Sequence, residues 1–193
     1  MIVIIDYDTG NLCSLENALK RLNCEYTVSS DPAVIAGADK VILPGVGEAS
    51  TAMYKLVERG LVDVIKSLTQ PTLGICIGFH LMCRSSEEGN AACMSIFDET
   101  VKRFAAAGIK IPHIGWNSIE RLSSPLFRGI EEGSYVYYVH SFAPQAGSAT
   151  VAMTDYGGNF SAAIASGNFF GVQFHPEKSG NVGERILNNF LAI

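Results

Sequence analysis

Five residues, Gly74-Ile75-Cys76-Ile77-Gly78, place a thiol between two glycines where an apolar strand signal gives way to a helix signal. This is the spacing of a nucleophile elbow, G-x-S-x-G, with Cys in place of Ser. Such a turn is tight, and side chains at positions 74 and 78 would collide with the neighbouring strand and helix. It also sets Cys76 at a helix N-terminus, where backbone N–H groups and the helix dipole favour the thiolate, the attacking form. The same residues also fit a buried structural cysteine beside two unrelated glycines, because free Cys is often buried. Cys13, Cys24, Cys83 and Cys93 have no such setting and read as ordinary core or surface residues.

A thiol that cleaves an amide needs a base to take its proton and then an acid to protonate the leaving amine. Histidine suits both tasks. Of His80, His113, His140 and His175, the last ends the apolar run Phe169-Phe170-Gly171-Val172-Gln173-Phe174, which reads as a buried strand. Glu177 follows two residues later, and positions i and i+2 of an extended chain share a face. Pro176 between them favours extended geometry at His175. Glu177 is therefore expected to accept from one ring nitrogen while the other faces the thiol, the logic of a nucleophile–base–carboxylate triad. A surface His-Pro-Glu turn is the alternative, and the buried strand before it counts against that.

These groups need a scaffold, and the first half of the chain alternates strand and helix signals. Apolar runs at 2–6, 25–29, 40–43 and 72–75 read as strands. Leu12, Leu15, Leu19 and Leu22 recur at helical spacing, Asp31-Pro32 opens a short helix, and a longer helix over about 49–68 is interrupted near Gly60. The alternation predicts an α/β fold with a mostly parallel central sheet flanked by helices. Ligands bind such sheets beyond the carboxyl ends of the strands, where the loops at 7–11, 44–48 and 76–78 are expected. Segments 101–104, 116–121, 135–142, 149–155, 160–165 and 169–175 read as further strands, an antiparallel or mixed extension of the sheet. A helix over about 182–191 closes the chain.

The 193 residues suit one domain, 1–193, with 48% apolar and 17% charged residues. A net charge of −5 argues against a general nucleic-acid binder. The opening residues Met1-Ile2-Val3-Ile4-Ile5-Asp6 carry no basic leader, and no apolar run approaches the roughly 18 residues of a membrane helix. Five cysteines without a Cys-x-x-Cys pair read as reduced thiols in a cytoplasm.

The elbow together with His175-Pro176-Glu177 resembles the class I, triad-type glutamine amidotransferases. Four further stretches sharpen the likeness towards the glutaminase subunits of imidazole glycerol phosphate synthase: Asp6-Tyr7-Asp8-Thr9-Gly10-Asn11, Leu43-Pro44-Gly45-Val46-Gly47, Lys110-Ile111-Pro112-His113-Ile114-Gly115-Trp116-Asn117 and Tyr138-Val139-His140-Ser141-Phe142. So does Gln173-Phe174-His175-Pro176-Glu177-Lys178-Ser179. The resemblance implies the flavodoxin-like fold of that family. It implies glutamine hydrolysis to glutamate and ammonia through a thioester on Cys76, with no cofactor and no metal. Ammonia would pass to a (β/α)8-barrel cyclase partner that makes imidazole glycerol phosphate and AICAR in histidine biosynthesis. In the family the glutaminase is nearly silent until the partner binds its acceptor substrate.

The resemblance also assigns residues. Pro44-Gly45-Val46-Gly47 corresponds to the family's oxyanion strand, where two N–H donors must meet a tetrahedral oxyanion. These would be the N–H of Ile77 and that of Val46, if the Gly45–Val46 peptide turns inward, with Gly45 and Gly47 lining the substrate pocket. Ser141 and Phe142 would line it too, largely through backbone groups, with Phe142 where the family usually has Tyr. Trp116, Asn117 and Lys178 would lie at or near the partner surface; core packing is the other role open to Trp116. After the nucleophile the family pattern is Gly-hydrophobic-Gln, whereas this chain has Gly78-Phe79-His80. His80 shares the helix face of Cys76, but an imidazole lacks the paired geometry of an amide. Three readings follow: His80 grips glutamine more weakly, free ammonia is the working nitrogen source, or the chain is a paralogue serving another synthase, such as one that aminates a surface sugar. A binding subunit that no longer hydrolyses glutamine is a further alternative.

Overall fold

The computed structural model describes residues 1–8 and 12–193. Positions 9–11 of the expected first loop lie outside the described residues. Strand β1 (Ile2–Ile5) is buried at all four positions, as befits a strand covered on both faces. It pairs in parallel with β2 (Tyr26–Ser29) and β3 (Lys40–Leu43). Strand β4 (Thr72–Ile75) runs parallel to β3.

The helices between them follow local chemistry. Helix α1 (Cys13–Arg21) buries Leu15, Ala18 and Leu19 on one stripe. Helix α2 (Pro32–Ala36) starts where Asp31 Oδ1 accepts the N–H of Ala33 at 2.8 Å. The interrupted helix resolves into α3 (Ala49–Glu58) and α4 (Leu61–Lys66), parted by Gly60 at a φ of 66°. Helix α5 (Ile77–Met82) follows Cys76, with all six residues buried.

The second half is more divided than a single extension. Strands β5 (Ser85–Ser86), β6 (Ala91–Ala92) and β7 (Thr100–Arg103) form a small sheet with β10 (Phe142–Pro144). Strand β8 (His113–Ile119) pairs with β9 (Ser134–His140) as a separate antiparallel ribbon. The expected strand 135–142 is therefore two strands, broken at Ser141, because β9 and β10 bond to different neighbours. Strand β8 also starts three residues earlier than expected.

Strands β11 (Thr150–Asp155), β12 (Asn159–Ser166) and β13 (Phe169–Val172) complete the main sheet in the order β11-β12-β13-β4-β3-β1-β2. The junction matters for the site: β13 is parallel to β4 in register Val172↔Ile75, so the residues after each emerge at one sheet edge. The expected strand 169–175 ends at Val172. Its neighbour β4 stops there for the elbow, and the chain leaves the ladder for the ribbon, where the N–H of His175 bonds Tyr137 O at 2.9 Å. Helix α6 (Gly180–Leu191) packs Ile186, Leu187 and Phe190 into the core. Among the described residues, no helix is long and apolar enough to cross a membrane.

Candidate active site

Cys76 joins β4 to α5 with φ 52° and ψ −108°. This is a sparsely populated conformation for a residue with a side chain, of the kind that costs about 1–3 kcal/mol and persists only where the surroundings enforce it. The enforcement is steric and hydrogen-bonded. A Cβ on Gly78 would lie 1.8 Å from Leu43 O on β3, and one on Gly74 would lie 2.9 Å from the Gly78 carbonyl. The Cys76 N–H bonds Val172 O at 2.9 Å, and the His80 N–H bonds Cys76 O at 3.1 Å. The two glycines of the motif are thus needed for space, as their spacing implied.

His175 is 3% exposed and its Nδ1 lies 2.8 Å from Glu177 Oε1. Pro176 leaves His175 extended, at φ −97° and ψ 97°, but Glu177 sits in a turn of 3-10 helix over Pro176–Lys178 and not on a continuing strand. The turn, not strand alternation, brings the carboxylate to the ring. Ser179 holds this segment: its hydroxyl donates to His175 O at 2.6 Å and accepts the Tyr137 N–H at 2.9 Å. Burial opposes a charge on His175. Cys76 close beside the ring and the hydrogen-bonded Glu177 carboxylate outweigh it and raise the imidazole to about 10. Among the described residues, His175 Nε2 and Glu177 Oε2 are buried without a hydrogen-bond partner. Cys76 thus raises the basicity of His175 at short range without a well-aligned bond.

The other three histidines are also buried, and each is pushed down. Burial lowers His80 to about 4, against the pull of a Gln173 hydrogen bond, and lowers His113 to about 4. It lowers His140 to about 3, against the Phe142 carbonyl and helped by the neighbouring histidines. Their hydrogen bonds fix tautomers. A carbonyl only accepts, so His140 Nδ1–H donates to Phe142 O at 2.8 Å. Its Nε2 then accepts from His113 Nδ1–H at 3.0 Å. His113 stacks on Tyr156 and Tyr138, with ring centroids 3.8 and 4.8 Å away.

The remaining expected residues fall into two groups. The loop Pro44-Gly45-Val46-Gly47 lies against the elbow: a Cβ on Gly45 would be 2.8 Å from Gly78 N, and Tyr7 donates its hydroxyl to Pro44 O at 2.7 Å. Val46 is exposed, Ile77 is buried, and Gly47 takes a φ of 94°. Ser141 and Phe142 follow His140 at the break between β9 and β10, with Ser141 O accepting the Phe104 N–H at 3.1 Å. Trp116 is 54% exposed, so it is not a core residue, and its ring edge lies 3.9 Å from where a Cβ on Gly180 would be. Lys178, two residues from Gly180, is exposed as well. Ile114, Tyr135 and Val139 share the exposed face of the ribbon with Trp116. Asn117 points the other way, donating to Asp155 O at 3.0 Å, because adjacent strand residues face opposite sides.

The glutamine amidotransferase class-I family model matches residues 3–193. The chain belongs to the class-I glutamine amidotransferases. An imidazole glycerol phosphate synthase subunit HisH of Bacteroides fragilis is 53% identical, over 100% of this chain and 99% of that protein. The HisH 1 subunit of Vibrio vulnificus is 45% identical, over 100% and 98%. A crystal structure of a glutamine amidotransferase superposes with a TM-score of 0.76 at 18% identity, covering 100% of this chain and 98% of the other. A glutamine amidotransferase from Thermotoga maritima gives 0.66 at 18% identity, covering 99% and 82%. At that identity the two structures speak to the fold alone, and they share it.

One residue of the candidate site, Gln173, has no role assigned by the motifs that point to it. Gln173 is fully buried, its Oε1 2.7 Å from His80 Nε2 and its Nε2 3.9 Å from the Cys76 sulfur. A signal was present: a carboxamide inside an apolar run must find partners when buried. His80, expected to face the substrate, is 1% exposed and its Nε2 is engaged by Gln173.

Proposed function

We propose that the chain hydrolyses glutamine at Cys76 and supplies the ammonia to a (β/α)8-barrel cyclase subunit, which uses it to make imidazole glycerol phosphate and AICAR in histidine biosynthesis. The observation that carries the reading is the buried His175–Glu177 pair, 2.8 Å apart, beside a cysteine held on a strained elbow. The relatives named as HisH subunits of imidazole glycerol phosphate synthase support the acceptor pathway.

The chemistry follows from the charges. Protonated His175 favours the thiolate beside it. The thiolate attacks the carboxamide carbon of glutamine, and the negative charge moves to the carbonyl oxygen. The N–H groups of Ile77 and Val46 meet that oxygen once the Gly45–Val46 peptide has turned inward, with Gly45 and Gly47 leaving room for it. His175 gives its proton to the leaving nitrogen, which departs as ammonia and leaves a glutamyl thioester. Water then attacks the thioester, His175 takes its proton, and glutamate leaves as the thiolate re-forms. Glu177 holds the ring and stabilises its charge throughout. Ser141 and Phe142 line the glutamine pocket, and their backbone is fixed through His140. His80 borders it one helical turn beyond Cys76.

Trp116 and Lys178 meet the partner, on a face that also exposes Ile114, Tyr135 and Val139. An exposed apolar patch of this kind marks an interaction surface. Asn117 serves that surface indirectly, by tying the ribbon to β11 through Asp155 O. The test is Cys76→Ala in the complex with the cyclase. Glutamine-dependent turnover should vanish while ammonia-dependent turnover survives; loss of both with the complex intact would contradict the mechanism.

A further inference from the structure

We propose that His80 is a positioning residue, whose ring holds the Gln173 carboxamide so that an amide N–H of Gln173 is aimed at the Cys76 sulfur. This rests on Cys76 being the nucleophile and adds a donor to its surroundings. The three side chains form a chain of direct contacts: His80 Nε2 to Gln173 Oε1 at 2.7 Å, then Gln173 Nε2 to Cys76 Sγ at 3.9 Å. His80 and Gln173 are 1% and 0% exposed. Both ends are anchored by backbone. The His80 N–H bonds Cys76 O one helical turn away, and the Gln173 N–H bonds Ala162 O at 2.8 Å.

The direction of the chain is set by its last member. A thiolate only accepts, so the Gln173 edge facing it must be the NH2 group. That leaves Oε1 facing His80, and an amide oxygen also only accepts, so His80 Nε2 carries the proton. Burial keeps the ring neutral above about pH 4. A neutral ring with its proton on Nε2 has a bare lone pair on Nδ1, the atom that is buried without a partner among the described residues. The reverse orientation would set the amide oxygen against the sulfur, repelling the attacking form. A carboxamide left to itself could take either orientation; the imidazole selects one.

The titratable groups around the sulfur are His175 and Glu177 from the turn after β13 and His80 from α5, with His140 of β9 close to both His80 and His175. Of these, only His80 acts through Gln173. A group that delivers a donor to the sulfur should change thiol reactivity and kcat, whereas one that grips glutamine should change KM.

The test measures iodoacetamide alkylation of the Cys76 peptide by mass spectrometry on the full chain, as a function of pH. Glutamine kinetics are measured in the complex with the cyclase. Gln173→Leu is expected to slow Cys76 alkylation at pH 7 by about three- to ten-fold and to move its pH profile upward, the size of effect that loss of one ordinary hydrogen bond gives, as suits a long contact of 3.9 Å. His80→Phe should do the same from one residue farther away, and His80→Gln, whose amide can also donate to Gln173 Oε1, should restore the parent profile. In turnover, kcat should fall with KM for glutamine unchanged. If Gln173→Leu fails to fold, His80→Phe carries the measurement alone. Unchanged alkylation profiles at unchanged melting temperature would overturn the proposal, as would His80→Phe raising KM with kcat intact, which would make His80 a direct substrate contact. Alkylation is read without turnover, so a Cys76→Ala chain that still hydrolysed glutamine would strike the proposed function and not this readout.

Discussion

His175 and His140 are both buried, both hydrogen-bonded at Nδ1, and both opposed by burial to carrying charge, yet they end on opposite sides of neutrality. His140 is held down to about 3 and His175 is raised to about 10. The difference lies in what the ring meets. His140 has a neutral carbonyl on one nitrogen and a second imidazole on the other. His175 has a carboxylate at 2.8 Å and a thiol close by. Burial alone therefore does not decide the charge of a histidine in this molecule; the partner does.

The largest effect should come from removing the carboxylate while keeping its shape. Glu177→Gln should lower glutamine turnover in the complex by roughly 10^4-fold, the cost seen when a triad loses its orienting carboxylate. It should also drop His175 towards the values of the other three. Glutamate release within about tenfold of the parent would mean that the pair is structural.

A second test uses stability. His80, His113 and His140 sit below their open-chain value of 6.5, at about 4, 4 and 3. As pH falls below 6.5, the unfolded chain takes up protons that the folded chain refuses. Their contribution is thus fully present above pH 6.5 and is lost as pH falls towards about 4. Thermal melting should drop between pH 7 and pH 5, and His140→Phe should make that drop shallower by about one proton's worth of slope. An unchanged slope would mean that His140 is not a buried neutral ring. His175 has the opposite sign: raised from 6.5 to about 10, its contribution is present below 6.5 and fades as pH rises through about 10. The alkaline decline should be weaker in Glu177→Gln.

The smallest effect on the free chain should come from the other face of the same ribbon. His113 and His140 are buried on its inner face, while Trp116 is 54% exposed on its outer one. Trp116→Ala should change the stability of the free chain by less than about 0.5 kcal/mol. It should still weaken association with the proposed cyclase partner by more than about 1 kcal/mol. A destabilised free chain with unaltered association would reverse the two faces.

The first half of the fold was legible because buried parallel strands are apolar throughout, as in Ile2–Ile5, and turn chemistry separates them. The second half was less so. The break at Ser141 leaves no local mark, since the switch of neighbours depends on β7, far away in sequence. The two-residue strands Ser85–Ser86 and Ala91–Ala92 carry no strand signature at all. In the site, the spacings of Cys76 and His175-Pro176-Glu177 were readable, although a 3-10 turn and not a strand delivers Glu177. The partner of His80 was not readable, because Gln173 lies 93 positions away and only the packed core brings them together.

The most direct measurement is the titration of the four histidine rings by NMR, in the parent chain and in Glu177→Gln. One ring, His175, should keep its proton through neutral pH and release it near pH 10, and the other three should stay neutral until the acid range. In Glu177→Gln the exceptional ring should move towards the other three. A His175 that titrates with the others in the parent chain, or that is unmoved by the loss of Glu177, would mean that this carboxylate does not share with Cys76 in holding the proton on the ring.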